Sequence, residues 1–143
     1  MEYASLYAHP ADHHRLLEDF GLGALKKSFV ARLSGGERQK LSVVLALIGN
    51  PEFVFLDELT TGLDVVARRE VWRTLKQLKE QGMTIFLTTH YMEEAEALSD
   101  RVGIMKDGRL LALGTADELK NSVGVDRLED AFVAIVKGDG HSA

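Results

Sequence analysis

"LSGGERQ", Leu33 to Gln39, places a hydroxyl and two glycines where an apolar helix begins. Two chemistries suit that pattern. A serine followed three residues later by glutamate can close a capping box, with the Ser34 hydroxyl on the Glu37 amide and the Glu37 carboxylate reaching back. A pair of glycines costs about 0.5–1 kcal/mol each against alanine in regular structure, and bare amides at a positive helix end let an anion approach. On this stretch alone both readings stand.

Two further clusters could do chemistry. Asp57-Glu58 closes the apolar run "FVFL", Phe53 to Leu56. Adjacent carboxylates can be the first polar residues of a loop. They can also be a hard oxygen ligand for Mg²⁺ beside a carboxylate that orients or deprotonates water. His90 directly follows "TIFLTT", where it is either a hydrogen-bonded loop residue or a contact to a bound group.

The elements that must position these residues can be read coarsely. "ADHHRLLEDFGLG" reads as a helix stopped by Gly21 and Gly23, and a second helix follows the serine-glycine motif to about Gly49. "FVFL" is a short uninterrupted apolar run, which suits a strand buried on both faces of a parallel sheet. Val65 to Gln81 is helical, with Val71, Leu75 and Leu78 on one face and Trp72 expected in the core. "MTIFLTT" is the next strand, and the short acidic helix "MEEAEALS" follows it. Asp107-Gly108 marks a hairpin inside "RVGIMKDGRLLALG". Thr115 to Glu118 is a capping box for another helix, and Asp126 to Glu129 caps the last. This order predicts an α/β layered fold, in which ligands gather at the carboxyl ends of the strands. Asp57, Glu58 and His90 stand at such ends.

Bulk properties narrow the function. The chain has 143 residues, enough for one ordinary domain. Its net charge of -5 offers no basic field for nucleic acid, so no nucleic-acid partner is expected. With no cysteine there is no disulfide or thiolate zinc site. The longest apolar stretch, Leu41 to Gly49, is about half the ~20 residues a spanning helix needs. The opening "MEYASLYAHPADHH" has no cationic start or apolar core and is not expected to be a secretory signal. His9, His13 and His14 lack matched carboxylate or cysteine spacing and are not read as a metal site.

Taken in order, "LSGGERQ", "FVFLDE", "TGLD" from Thr61 to Asp64, and "TTH" resemble the ATPase subunits of ABC transporters across nearly the whole chain. The resemblance makes "LSGGERQ" the signature motif and Phe53 to Asp57 the Walker B strand. Glu58 becomes the catalytic glutamate, Gly62 to Asp64 the D-loop and His90 the switch histidine. It implies a P-loop NTPase fold with a mostly parallel sheet. Residues 1–50 would end the helical subdomain, and residues 51–143 would form the C-terminal part of the RecA-like core. "YMEEAEALSDRVGIMKDGRLLALG" and the ending "LEDAFVAIVKG" look more like exporters of drugs or polysaccharides than importers of amino acids. Leu59 departs from the family's usual proline and leaves the turn after Glu58 less preset.

A larger departure is the Walker A loop, G-x-x-x-x-G-K-[ST]. "GLGALKKS", Gly21 to Ser28, matches at Gly21, Lys27 and Ser28, but Lys26 stands where the second glycine belongs and a helix precedes it. It is read as a loop before the signature. The adenine-stacking aromatic and the glutamine loop are also missing, so the chain is expected to be the C-terminal portion of such an ATPase. Without the Walker A strand, which the family places inside the sheet, apolar faces and amides should be left exposed and the isolated chain should be marginal.

By resemblance the cofactors are ATP and Mg²⁺, and the partners are a second ATPase subunit, head to tail, and a membrane-spanning permease. The implied location is cytoplasmic, on the inner face of the membrane. Ser34, Gly35, Gly36, Glu37 and Gln39 would meet the ATP of the partner, and Asp64 would connect the two sites. Asp57 would hold Mg²⁺ through water, Glu58 would polarise the attacking water, and His90 would touch the γ-phosphate. The alternatives are a non-catalytic module that donates its signature to another subunit, and a chromosome-maintenance or repair ATPase lobe. The second predicts a heptad segment and a basic face, neither of which occurs in this sequence.

Overall fold

The computed structural model describes residues 2–139, in two compact units: one ends at Thr88 and the other begins at Thr89. In the first unit a 3-10 turn, Glu2–Leu6, precedes helix α1, His13–Asp19. Asp12 starts α1 by accepting the backbone N–H groups of His14 (2.9 Å) and Arg15 (3.2 Å). Those bonds, the Arg15 one first, hold its carboxyl below the usual range. Gly21, at φ 70, turns the chain out of the helix. The segment resembling a Walker A loop is a short 3-10 turn at Gly23–Leu25 with an ion pair from Lys26 to Glu18 at 2.8 Å, so it is a loop before the signature as read.

Helix α2, Gly35–Leu47, buries Val43, Val44 and Leu47, and its end leads through Asn50 at φ 51 into strand β1, Phe53–Asp57. Helix α3, Val65–Glu80, buries Val71, Thr74 and Leu75. Gly82, at φ 95, turns the chain into strand β2, Thr84–Thr88, which pairs parallel with β1. Trp72, expected in the core, is half-buried, because the packed stripe runs through Val71 and Leu75 instead.

The expectation that β1 is buried on both faces does not hold. Val54 and Leu56 point inward, whereas Phe53, Phe55 and Phe86 on the other face are 46%, 72% and 54% exposed. The three rings form a ladder, with centroids 4.7 Å apart for Phe53 and Phe55 and 5.4 Å apart for Phe55 and Phe86. The first unit's packing covers only one side of its two strands. Exposed apolar faces, expected from the missing strand, are therefore present.

In the second unit helix α4, Met92–Leu98, leads to strand β3, Val102–Lys106, and strand β4, Arg109–Gly114. These form an antiparallel hairpin with a bulge between Ile104 and Met105. Asp107 (φ 50) and Gly108 (φ 76) are both left-handed, as a two-residue turn matched to strand twist requires. Each unit therefore has its own two-stranded sheet, one parallel and one antiparallel.

Helix α5, Ala116–Val123, starts on the expected box of Thr115 and Glu118. Lys120 binds Glu96 at 2.7 Å and Asp117 at 2.9 Å, and these two partners, Glu96 first, raise its ammonium to about 12. Helix α6, Leu128–Asp139, corrects one expected cap. It starts after Arg127, whose carbonyl accepts the Ala131 N–H, while Glu129 pairs with the Arg127 guanidinium. Asp126 is one residue too early to cap it. Ala95, Ile104, Leu119, Leu128 and Ala131 form this unit's core. No helix among the described residues is long and apolar enough to cross a membrane.

Candidate functional site

Ser34 is the N-cap of α2, with φ -60 and ψ 165. Its hydroxyl accepts the Glu37 N–H at 3.2 Å and its own N–H donates to the Glu37 carboxylate at 2.7 Å, so the box is closed. Ser34's backbone N–H and then its hydroxyl hold the Glu37 carboxyl below its ordinary range. The two glycines then separate. A methyl on Gly36 would come within 2.9 Å of Leu63 Cδ2, so Gly36 lets a buried leucine pack against the helix start. A methyl on Gly35 would meet nothing within 4 Å. Nothing in the packing of the described residues explains Gly35, and its open position leaves the helix end approachable.

Asp57 and Glu58 are exposed at the carboxyl end of β1. Thr88 is the register partner of Asp57, and its hydroxyl donates to Asp57 Oδ1. The Glu58 N–H is shared between the Thr88 carbonyl at 3.1 Å and the Thr88 hydroxyl at 3.2 Å. Glu58 itself has φ 45, a left-handed backbone that costs a side-chain-bearing residue about 1–2 kcal/mol. Bonds worth about 0.5–1.5 kcal/mol each offset this cost. One is the Thr61 N–H to the Glu58 carbonyl at 3.1 Å, and another is Gln39 Nε2 to the same carbonyl at 3.1 Å. Leu59, in the family's proline position, is 8% exposed and restrains the turn by packing.

Past this turn, Gly62 takes φ 80 and Asp64 caps α3 by accepting the Ala67 N–H at 2.9 Å. Thr60 is fully buried, and its hydroxyl has no hydrogen-bond partner among the described residues. His90 belongs to the second unit, where it is exposed and stacks on Tyr91 at 4.2 Å between centroids.

The first unit therefore brings together Ser34, Gly35, Gly36, Glu37, Gln39, Asp57, Glu58 and Asp64. Glu37 and Gln39 direct polar atoms at their own chain. Sequence reasoning missed Thr88. Its only signal was a hydroxyl ending "IFLT", which gains meaning once the strand register sets it opposite Asp57. As a fit to Mg²⁺, Asp57 and the Thr88 hydroxyl are hard oxygen donors, and no cluster of three His, Cys, Asp or Glu side chains forms a cage among the described residues. A single carboxylate suits an ion that keeps most of its waters.

Comparison with known proteins bears on the family. The family model described as "ABC transporter" matches residues 7–61. The daunorubicin resistance ATP-binding protein DrrA3 of Streptomyces coeruleorubidus is 47% identical over 80% of this chain, which spans 36% of that protein. ABC transporter A family member 11 of Arabidopsis thaliana is 48% identical over 85% of this chain and 12% of its own length. A solved structure of the ATP-binding subunit of an ABC transporter superposes with a TM-score of 0.80 and 29% identity, over 94% of this chain and 61% of that one.

The α/β fold is that of a P-loop NTPase domain and is similar to a solved ATP-binding subunit of an ABC transporter. The chain belongs to the ATP-binding family of ABC transporters. It spans about a third of the length of its bacterial relative DrrA3.

Proposed function

We propose that this chain supplies the signature, Walker B, D-loop and switch-histidine part of an ATP-hydrolysing ABC transporter subunit of exporter type. The observation that carries this reading is the start of α2, where the capping box is closed and Gly35 is left open. Bare amides at the positive end of a helix donate to phosphate oxygens, and the Ser34 hydroxyl lies beside them. No Walker A sequence occurs among the 143 residues. By resemblance the phosphate would be held by the Walker A loop of a second, head-to-tail subunit.

Asp57, steadied by Thr88, would hold Mg²⁺ through water, and Glu58 would orient the attacking water. Mg²⁺ would neutralise charge building on the transferred phosphoryl group. His90 would contact the γ-phosphate, and Asp64 would link the two sites of the dimer. Residues 1–50 act as the end of the helical subdomain and residues 51–143 as part of the ATPase core. Closure of the dimer would work a membrane-spanning permease from the cytoplasmic side. Resistance proteins for daunorubicin and linearmycin among the relatives support export.

A chimera tests this reading: the chain replaces the aligned segment of the Streptomyces coeruleorubidus relative. Glu58→Gln in that chimera should keep ATP binding and stall turnover, and an unchanged rate would contradict the assignment. The open Gly35 also suits a second role, that of a module completing another subunit's site. Titrating the chain into a complete ATP-binding subunit should then change that subunit's turnover, and a flat titration would exclude this role.

A further inference from the structure

The backbone of Glu58 is held at both ends. Its N–H is fixed by Thr88 at the end of β2, and its carbonyl accepts from Thr61 and from Gln39 Nε2, each at 3.1 Å. Gln39 stands five residues after the cap Ser34 on the same helix, about one turn from Gly35 and Gly36. A carbonyl can only accept, so the amide of Gln39 must present its NH₂ group here.

We propose that Gln39 is a positioning residue that couples the open, phosphate-facing end of α2 to the backbone that aims Glu58 in the same chain. This proposal rests on the reading of α2 and Glu58 given above. A helix transmits displacement along its axis, so an anion drawing on the first turn moves the Gln39 amide with it. The carbonyl of Glu58 then follows, or the bond breaks. A left-handed glutamate persists only where its surroundings hold it, so the loop is poised to respond. The packing of Leu63 on Gly36 joins the first turn of α2 to the far end of the same loop. The side chain of Gln39 therefore works between two sites of the chain.

The test uses the chimera described above and residue-resolved amide hydrogen exchange. Gln39→Leu keeps the side chain's bulk and removes the donor, and Gln39→Glu keeps its shape and sets a carboxylate against the carbonyl. Both should speed exchange at Glu58 and Thr61 by up to about tenfold, the loss expected for one hydrogen bond, and leave Val43 and Val44 in α2 unchanged. Equal acceleration through α2 would mean a packing role and would overturn the proposal. So would unchanged rates at Glu58 and Thr61.

Coupling is read separately with Gly35→Asp, which sets a negative charge at the open first turn as the probe. The Glu58 amide resonance should shift in the wild-type background and stay still in the Gln39→Leu background. A shift of equal size in both, or none in either, would overturn the proposal. Neither readout uses nucleotide, so this coupling and the hydrolytic assignment of Glu58 fail independently.

Discussion

Thr88 lies directly opposite Asp57 in the parallel register of β1 and β2, and its hydroxyl donates to the Asp57 carboxylate while accepting the N–H of Glu58. One small side chain therefore orients both acidic residues of the site. In the chimera, Thr88→Val should lower ATP turnover about tenfold by removing the donor and loosening Glu58, with Thr88→Ser within about twofold of wild type. Equal turnover for the valine and serine variants would show that the hydroxyl does not matter.

Asp64 carries a structural duty apart from any role between subunits. It caps α3, and its replacement by alanine should cost about 0.5–2 kcal/mol of stability in urea titrations at low protein concentration. Asp64→Asn should restore most of that, because it keeps the acceptor. If asparagine rescues stability but leaves chimera turnover low, the carboxylate itself is needed at the site.

Thr60 presents the opposite case. Its buried hydroxyl has no partner among the described residues, so Thr60→Val keeps the shape and removes an unsatisfied group. Stability should be unchanged or raised by up to about 1 kcal/mol in the same titrations. A marked loss would reveal a hydrogen bond at that hydroxyl.

Glu37 makes the start of α2 sensitive to acid. Its carboxyl titrates below its ordinary value in the folded chain, because the Ser34 backbone N–H and hydroxyl bind the charged form, so the unfolded chain binds the proton more readily. The cap's contribution is complete above that value and is lost as pH falls through the lower folded value. The Ser34 amide resonance, followed by NMR, should titrate with a midpoint below the ordinary glutamate value, and Glu37→Gln should abolish the titration. A midpoint above it would contradict the capping geometry.

The aromatic ladder of Phe53, Phe55 and Phe86 predicts poor behaviour for the isolated chain, because an exposed apolar strand face promotes association. Phe55, the most exposed of the three, is the place to intervene. Phe55→Thr keeps a strand-favouring residue and should increase the monomeric fraction in sedimentation velocity. A wild-type chain that stays monomeric and melts in one sharp, reversible step would count against this.

Much of this was legible because it depends on neighbours in sequence. The boxes at Ser34–Glu37 and Thr115–Glu118 and the turn at Asp107-Gly108 are local devices, and each formed as its residue types require. Contacts set by long-range pairing were not legible. Thr88 needed the β1–β2 register, the Gln39 bond needed the approach of α2 to Glu58, and the reason for Gly36 needed the position of Leu63. The exposed face of β1 was misread because an apolar run records what a strand can bury and not what covers it. Asp126 was misread because a box pattern leaves the first helical residue undetermined within one position.

The central claim is that the open end of α2 serves a phosphate held by another subunit, and a mixing experiment with two inactive chimeras tests it. One carries Gly35→Asp, whose Cβ the open position accommodates without steric conflict, and the other carries Glu58→Gln. Each should be inactive alone. Head-to-tail dimers formed between them contain one site with an intact Glu58 and an intact opposing signature, so an equal mixture should recover roughly a quarter of wild-type turnover if subunits pair at random. No recovery on mixing, with dimers formed, would contradict the claim and mean that the serine-glycine motif serves the nucleotide of its own chain.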